Sequence, residues 1–341
     1  MSPALPGAKP YVPAGRRVAL VVGATILLAV GVVALIAKAA GFGEVRDATE
    51  EADTTWFVVC FFAELASFGA YAIVVRDALR REDEPTIPYR LGVHITLASL
   101  GAIRIVAAAG AGGLAVTYWC FRRARFSVEE AFVRVLGLNT LVYLVFGAGA
   151  WVASLVCVLG IWGDAPLAMT IPWLVAAPCC YVAARFVIAP ARVQRLSEPK
   201  GRLARRALGY AIGGTAWVRG FIRKPGGRRA FAAGATYWGG DVVCLWAALH
   251  SIGISLPLSE LVLAYATGYA ATVLPLPFAG VGGVDAAMTF ALTAVGIALA
   301  PALVAVAVYR LFGFWLPTIP ALAALVLLPR AGRDLERLAT S

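Results

Sequence analysis

The chain alternates between long apolar blocks and short polar connectors. Val18–Ala37, Trp56–Val75 and Ala302–Leu328 are each long enough to cross a hydrocarbon core, which takes roughly 20 apolar residues in a helix. Further apolar stretches fill 91–120, 133–160, 167–189, 230–253 and 258–299. Burying all of them in one water-soluble core would leave too little polar sequence to cover it. The pattern predicts an all-α, polytopic integral membrane protein whose soluble parts are too small for an independent catalytic domain. Composition agrees: 61% of residues are hydrophobic and 14% charged, with a mean hydropathy of +0.81, whereas soluble domains average about 45–50% and about 25%.

The distribution of charge sets the expected topology. Residues 1–17 carry Lys9, Arg16 and Arg17 and no acid, which places the N-terminus in the cytoplasm. Arg16-Arg17, the apolar run and Ala37-Lys38-Ala39 loosely resemble a cleavable signal. The run exceeds the usual 7–15-residue apolar core, so an uncleaved first span is expected. Loop 38–55 is acidic and belongs outside, whereas 76–90 carries Arg76, Arg80, Arg81 and Arg90 and 121–134 carries Arg122, Arg123, Arg125 and Arg134, which places both inside. The apolar segment 91–120 between those two inside loops is broken by Ala109-Gly-Ala-Gly-Gly113. It is therefore expected to be a re-entrant helical hairpin, whose irregular backbone protein or a water-filled cavity must cover.

Crossings at 133–160 and 167–189 lead to residues 190–229, where eleven Lys/Arg face the single acid Glu198. Within this stretch Leu203–Ile222 is predicted as a helix lying in the inner interface. A span at 230–253 then goes outward. The tail's Arg330, Arg333 and Arg337 return inside only if 258–299, broken at Pro275–Gly283, is a second re-entrant hairpin ahead of the span 302–328. The expected sum is six full spans and two hairpins. The chain divides into a cytoplasmic tail (1–17), one transmembrane domain (18–329, with halves 56–160 and 230–328 and the basic loop 190–229) and a cytoplasmic tail (330–341). The net charge of +11 is read as positive-inside bias and contact with anionic lipid, not as nucleic-acid binding.

The two breaks are alike. Ala109-Gly110-Ala111-Gly112-Gly113 aligns with Ala279-Gly280-Val281-Gly282-Gly283, and each precedes a short apolar helix and then a full span. Since topology sets the two units in opposite orientation, an inverted repeat is expected, a transporter design with its substrate site near the midplane. Chance recurrence in a chain with 35 glycines is the plainer alternative, which the matching position of both breaks argues against. A nucleotide-binding glycine loop would need a preceding β-strand, which neither break has.

Charges inside apolar spans cost at least about 2.5–3.5 kcal/mol each and so mark candidates. Asp285 follows the second break, Arg310 lies in the last span, Asp241 is mid-span, Arg104 precedes the first break, Glu64 is in the second span and His94 opens the first hairpin. One reading is a polar cavity for a charged headgroup, with helix N-termini at the breaks suited to phosphate. The other is structural pairing, Asp285 with Arg310 and Asp241 with Arg104. The expected substrate-binding set is Asp285, Arg310, Asp241 and Arg104 with the break glycines Gly280, Gly282, Gly283, Gly112 and Gly113. Glu64, His94 and His250 lean structural. Two distant histidines support neither a metal cluster nor a Ser-His-Asp triad. The six cysteines lack metal spacing and are read as small packing residues. No catalytic residue, metal or cofactor is expected.

One stretch carries a resemblance. Pro275-Leu-Pro-Phe-Ala-Gly-Val-Gly-Gly-Val-Asp285, Ala294-Val-Gly296 and Tyr309-Arg310-Leu-Phe-Gly-Phe-Trp-Leu-Pro317 resemble the signature of the membrane region of lysyl-phosphatidylglycerol synthase, the multiple peptide resistance factor family. That signature looks like P-x-P-G-G-x-G-x-x-E, a leucine-rich half-helix, then Tyr-Arg and Trp-Leu-Pro. Gly112-Gly113…Tyr118…Arg122-Arg123 and Trp238-x-x-Asp241 are also similar. Two departures stand out: the family's glutamate is Asp285 here, and Phe278-Ala-Gly280 replaces Pro-Gly-Gly. In two-domain members the membrane part flips aminoacylated phospholipid that a cytosolic domain makes. Only about 12 residues follow the last span here, so a stand-alone member without the synthase domain is expected.

The resemblance implies a lipid translocase of the cytoplasmic membrane, not an enzyme. It would act on an anionic or aminoacylated phospholipid or a lipid-linked headgroup, with a homo-oligomer or a separate synthase as protein partner. A secondary transporter of a small solute, and a membrane transferase acting on a lipid carrier, remain open alternatives.

Overall fold

The computed structural model describes residues 41–50, 52–80, 87–105, 110–187, 203–273 and 282–339, with five isolated positions between 23 and 38. The expected first span, 18–37, and Gly280 lie outside the continuously described residues. The described residues form helices only. These are α1 (Phe42–Glu50), α2 (Trp56–Leu79), α3 (Tyr89–Ile105), α4 (Ala111–Arg123), α5 (Val128–Val158), α6 (Leu167–Val187), α7 (Leu203–Ile222), α8 (Pro225–Ser251), α9 (Leu258–Ala270), α10 (Gly283–Ala294), α11 (Leu299–Arg310), α12 (Leu316–Val326) and α13 (Leu328–Leu338). A 3₁₀ turn follows α9, and a π-helical turn, Leu311–Trp315, joins α11 to α12.

Local sequence explains many of the boundaries. Ser127 caps α5, its hydroxyl accepting the Glu130 N–H at 3.1 Å, in the Ser-x-x-Glu pattern of a helix start. Pro225 opens α8 at a position where a missing N–H has no cost. Pro317 cannot supply the N–H that an α-helix would place on the Gly313 carbonyl, and the chain bridges the gap with an i→i+5 bond from Leu316 N–H to Leu311 C=O.

Among the described residues, Trp56–Leu79, Val128–Val158 and Leu299–Val326 are long and apolar enough to cross a membrane. The last of these begins and ends a few residues before the expected 302–328. α6 and α8 stand where spans are expected, α6 with an apolar stretch over Leu167–Cys180 and α8 less uniformly apolar. For α8 the reason is enclosure: Trp238, Gly240, Asp241, Cys244, Leu245, Ala247, Ala248 and Leu249 are all buried, so packing and not lipid selects its side chains. α7 has the expected bounds, but it is more than a surface helix. It packs on α5 through Gly213 and Gly214 against Val133 and Leu136, with Tyr210 stacked on Phe132 at 5.1 Å.

The C-terminal residues 328–338, largely assigned to a tail, form an amphipathic helix. Leu328, Ala331 and Leu335 are buried, Gly332 faces Trp119, and Glu336 pairs with Arg123. Cys60, Cys120, Cys157 and Cys244 are buried as packing residues, while Cys179 and Cys180 are exposed on α6.

The two halves are tied together reciprocally. α2 and α8, the first long helices of each half, form the most extensive pair. α3 packs against its own partner α4 and across onto α12, and α9 packs against α10 and across onto α5. Small residues allow these approaches, as expected where lipid supplies no hydrophobic force between helices. Gly113 abuts Ile103 inside the α3–α4 pair, Gly268 abuts Met288 inside the α9–α10 pair, and Gly101 lies on the Ala321 backbone of α12. His94 makes its structural contact at the same α3–α12 seam, with Nε2 2.9 Å from the Ala324 carbonyl oxygen.

Two neighbouring glycines of α8 separate packing from propensity. A Cβ on Gly240 would lie 2.6 Å from the Ala63 carbonyl oxygen and 2.7 Å from Ser67 Cβ, whereas a Cβ on Gly239 meets nothing within 4 Å. Gly240→Leu is expected to destabilise the protein by at least about 1–3 kcal/mol through overpacking. Gly239→Leu should be neutral or slightly stabilising. Thermal unfolding of the two detergent-solubilised variants, monitored by size-exclusion recovery, checks the contrast.

Candidate functional site

Helical spacing lines up one face of α2 with one face of α8. Cys60, Glu64 and Ser67 recur at i, i+4 and i+7, as do Tyr237, Asp241 and Cys244, so each set forms a single stripe. The stripes meet: the Cys60 thiol lies 3.5 Å from the Cys244 carbonyl oxygen. The Ser67 hydroxyl lies 3.0 Å from Asp241 Oδ1 and 2.9 Å from the Tyr237 carbonyl oxygen. Asp241, only 7% exposed, also accepts hydrogen bonds at Oδ2 from Tyr265 Oη of α9 at 2.7 Å and from Tyr309 Oη of α11 at 3.3 Å. Three hydroxyls from three other helices therefore hold one carboxylate.

Around it lies an aromatic wall. Tyr265 and Tyr269 stack at 5.7 Å, Tyr309 meets Tyr265 edge-on at 6.1 Å, and Trp238 lies 5.0 Å from Tyr269. Trp238 Nε1 is itself satisfied by the Val142 carbonyl at 2.8 Å.

The second part of the cluster is built by the break before α10 and the π-turn after α11. Gly282 takes φ +80°, a conformation glycine adopts without the Cβ clash, and turns the chain into α10. Asp285, three residues on, reaches back so that Oδ2 accepts the Gly282 N–H at 2.9 Å. Its Oδ1 faces Arg310 Nε at 2.5 Å. The structural pairing expected for Asp285 and Arg310 is thus formed.

The pairing of Asp241 with Arg104 is not formed. Arg104 instead stacks over the Phe314 ring, 3.5 Å from its centroid, and Arg310 lies 4.2 Å from the same centroid. Asp241 turns to hydroxyls because Ser67, Tyr265 and Tyr309 reach it first. Two guanidiniums thus share one aromatic ring, and Arg104 Nε and Arg310 Nη2 are buried donors without a hydrogen-bond partner.

The glycines fall into two groups. Gly282 and Gly283 begin α10 beside Asp285, as expected. Gly110, at φ +81°, caps α4 as Gly282 caps α10. The structural match between the breaks is therefore shifted by two residues from the sequence alignment, and Gly113 occupies the helix position that Asp285 holds in the other half. Gly113 serves close packing against Ile103 and the Ser99 backbone, and Gly112 is buried in the same turn. Sequence reasoning did not single out Ser67, Tyr265 or Phe314. The matched stripes on α2 and α8 were the available signal for Ser67.

The geometry orders the hydroxyl contacts by strength. A hydrogen bond to a buried charged group contributes about 1.5–3 kcal/mol. Tyr265→Phe, which removes the 2.7 Å bond, is expected to lower stability by about that amount. Tyr309→Phe, which removes the 3.3 Å bond, should cost less. Chemical or thermal denaturation in detergent measures both.

A comparison with protein families matches residues 20–321 to the model described as "Lysylphosphatidylglycerol synthase TM region". No curated protein matches the chain.

Proposed function

We propose that this chain, which belongs to the lysylphosphatidylglycerol synthase TM-region family, is a lipid translocase that carries a phosphate-bearing headgroup across the cytoplasmic membrane. The observation that carries this reading is the pair of buried guanidiniums on Phe314 with unused N–H donors. Arg310 is paired with Asp285, but Arg104 beside it has no carboxylate partner and a buried unused donor, and guanidinium forks match phosphate oxygens. Asp241 within its tyrosine wall supplies the complementary half, since a carboxylate and aromatic faces both attract an ammonium. An aminoacylated or amine-bearing phospholipid carries both groups, and its acyl chains remain in the bilayer.

The two helix pairs α3–α4 and α9–α10 act in this reading as re-entrant hairpins of an inverted repeat. Three features support it: glycine-capped breaks at corresponding places, reciprocal packing onto the opposite half, and the charge-derived topology with both termini inside. Movement follows from tilting one half against the other around α2 and α8. The chain works as a carrier without chemical conversion of the lipid, alone or with a synthase that makes its substrate.

Reconstitution in liposomes with headgroup- or chain-labelled phospholipids tests the proposal. The protein should accelerate flipping. Arg104→Gln should slow it about tenfold or more, the equivalent of one lost charged hydrogen bond, while leaving the folded fraction intact. Asp285→Asn should slow it too, with some loss of stability, because it leaves Arg310 uncompensated. Equal flipping in empty and loaded liposomes across several headgroups would overturn the reading. Uptake of a soluble phosphoester without lipid movement would replace it with solute transport.

A further inference from the structure

Glu64 has no part in the headgroup contacts described so far, yet among the described residues it is the carboxylate of this cluster with no N–H or O–H donor on either oxygen. It sits mid-helix in α2, 4% exposed, and neither carboxyl oxygen has an N–H or O–H partner, with only the weak Cys244 thiol against it. The contrast with Asp241 is sharp, because Asp241 lies on the facing helix and collects three hydroxyl donors. The groups facing Glu64 are Cys60 on its own helix, Asp241 and Cys244 on α8, Arg104 on α3 and Tyr309 on α11. The π-turn presents Gly313 to it, and a Cβ on Gly313 would stand 2.8 Å from Glu64 Oε1. Among the described residues no group of three or more His, Cys, Asp or Glu is placed to hold a metal ion.

Charge counting makes the same point. Glu64, Asp241 and Asp285 share the cluster with Arg104 and Arg310, one negative charge more than the positive charges balance. The segments 106–109 and 274–281 contain no ionisable residue. Asp285 has Arg310 and a backbone N–H, and Asp241 has its hydroxyls. The surplus falls on the carboxyl without N–H or O–H donors. Two carboxyls on facing helices in such different surroundings divide their roles, one remaining charged and the other exchanging a proton.

We propose that Glu64 is a proton-binding site that couples lipid movement to a transmembrane proton gradient. As a carboxylic acid it neutralises the closed cluster. When the halves tilt and water reaches α2, it releases the proton to water on that face as a carboxylate, and it takes one up from the opposite face in the alternate tilt. The π-turn next to Gly313 is the element that changes, since π-turns are local insertions that shift register at functional positions. The transport part of this proposal rests on the translocase reading; the proton site itself does not.

The test therefore has two arms. In infrared difference spectra of the full chain in nanodiscs, stepped between acid and alkaline buffer, a carboxylic C=O band should titrate. Glu64→Gln should abolish that band and Glu64→Asp should displace it. A band unchanged in both variants overturns the proposal. Should Glu64→Gln fail to fold, Glu64→Asp decides alone, and an undisplaced band overturns it. In proteoliposomes, a gradient of one pH unit should bias the leaflet distribution of labelled lipid about tenfold for one proton per lipid, and Glu64→Gln should remove the bias. A response to a Na⁺ gradient in place of the pH gradient overturns the proton assignment. A titrating band lost in Glu64→Gln, with no lipid moved by the wild-type chain, retains the proton site and removes the translocase reading.

Discussion

Four helices converge on the carboxylate of Asp241. In a bilayer the tails around a helix are as apolar as its side chains, so helices gain little by hiding from lipid and must be oriented by close packing and polar ties. Asp241 on α8 draws in Ser67 of α2, Tyr265 of α9 and Tyr309 of α11. The short Ser67 contact holds the α2 and α8 backbones close, which is why the residue before Asp241 has no side chain and lies against Ala63 and Ser67. Tyr309 in turn fixes the rotation of α11, and with it the direction in which the next residue, Arg310, leaves the helix. The packing of the centre and the placement of its charges are consequences of the same bond set.

The breaks in the helices do the complementary work. An uninterrupted α-helix would hold Arg310, Gly313 and Phe314 in fixed rotation. Pro317 removes one ladder bond, the π-turn absorbs the mismatch, and Phe314 lies under both Arg104 and Arg310. At the other break, Gly282 starts α10 so that the third helical residue is Asp285, which caps its own helix with one oxygen and meets Arg310 with the other. An aspartate suffices where the family signature has glutamate because this capping position brings the carboxyl back toward the start of the helix. The shorter side chain makes both contacts without spanning a gap.

The same geometry explains why the cluster is poised and not merely buried. Ion pairs within a membrane are stable when every charge is matched and hydrogen-bonded. Here Asp285 and Arg310 are matched in charge but leave Asp285 Oδ1 and Arg310 Nε and Nη2 without hydrogen bonds, Arg104 has an aromatic face in place of a carboxylate, and Glu64 has no N–H or O–H donor. Unmatched groups of opposite sign in one cluster give a ligand with its own charges something to complete.

Much of this protein was legible in the residues themselves. Apolar length anticipated, as 56–75 and 302–328, the helices found at 56–79 and 299–326, the run Leu203–Ile222 carried its own bounds, and Pro and Gly marked where helices stop. These are local properties, set by side-chain hydrophobicity and by the backbone restrictions of a residue and its neighbours. The pairing of Asp285 with Arg310 was one of two readings open in the sequence, because each charge needed either a nearby partner or a ligand inside an apolar segment. Tertiary structure alone decided the rest. Asp241 takes hydroxyls and not Arg104, the glycine breaks correspond with a shift of two residues, the tail folds as α13, and Glu64 is left without an N–H or O–H donor. Each depends on which faces of helices far apart in sequence meet. A helix that is apolar on every side carries no stripe from which that rotation can be read.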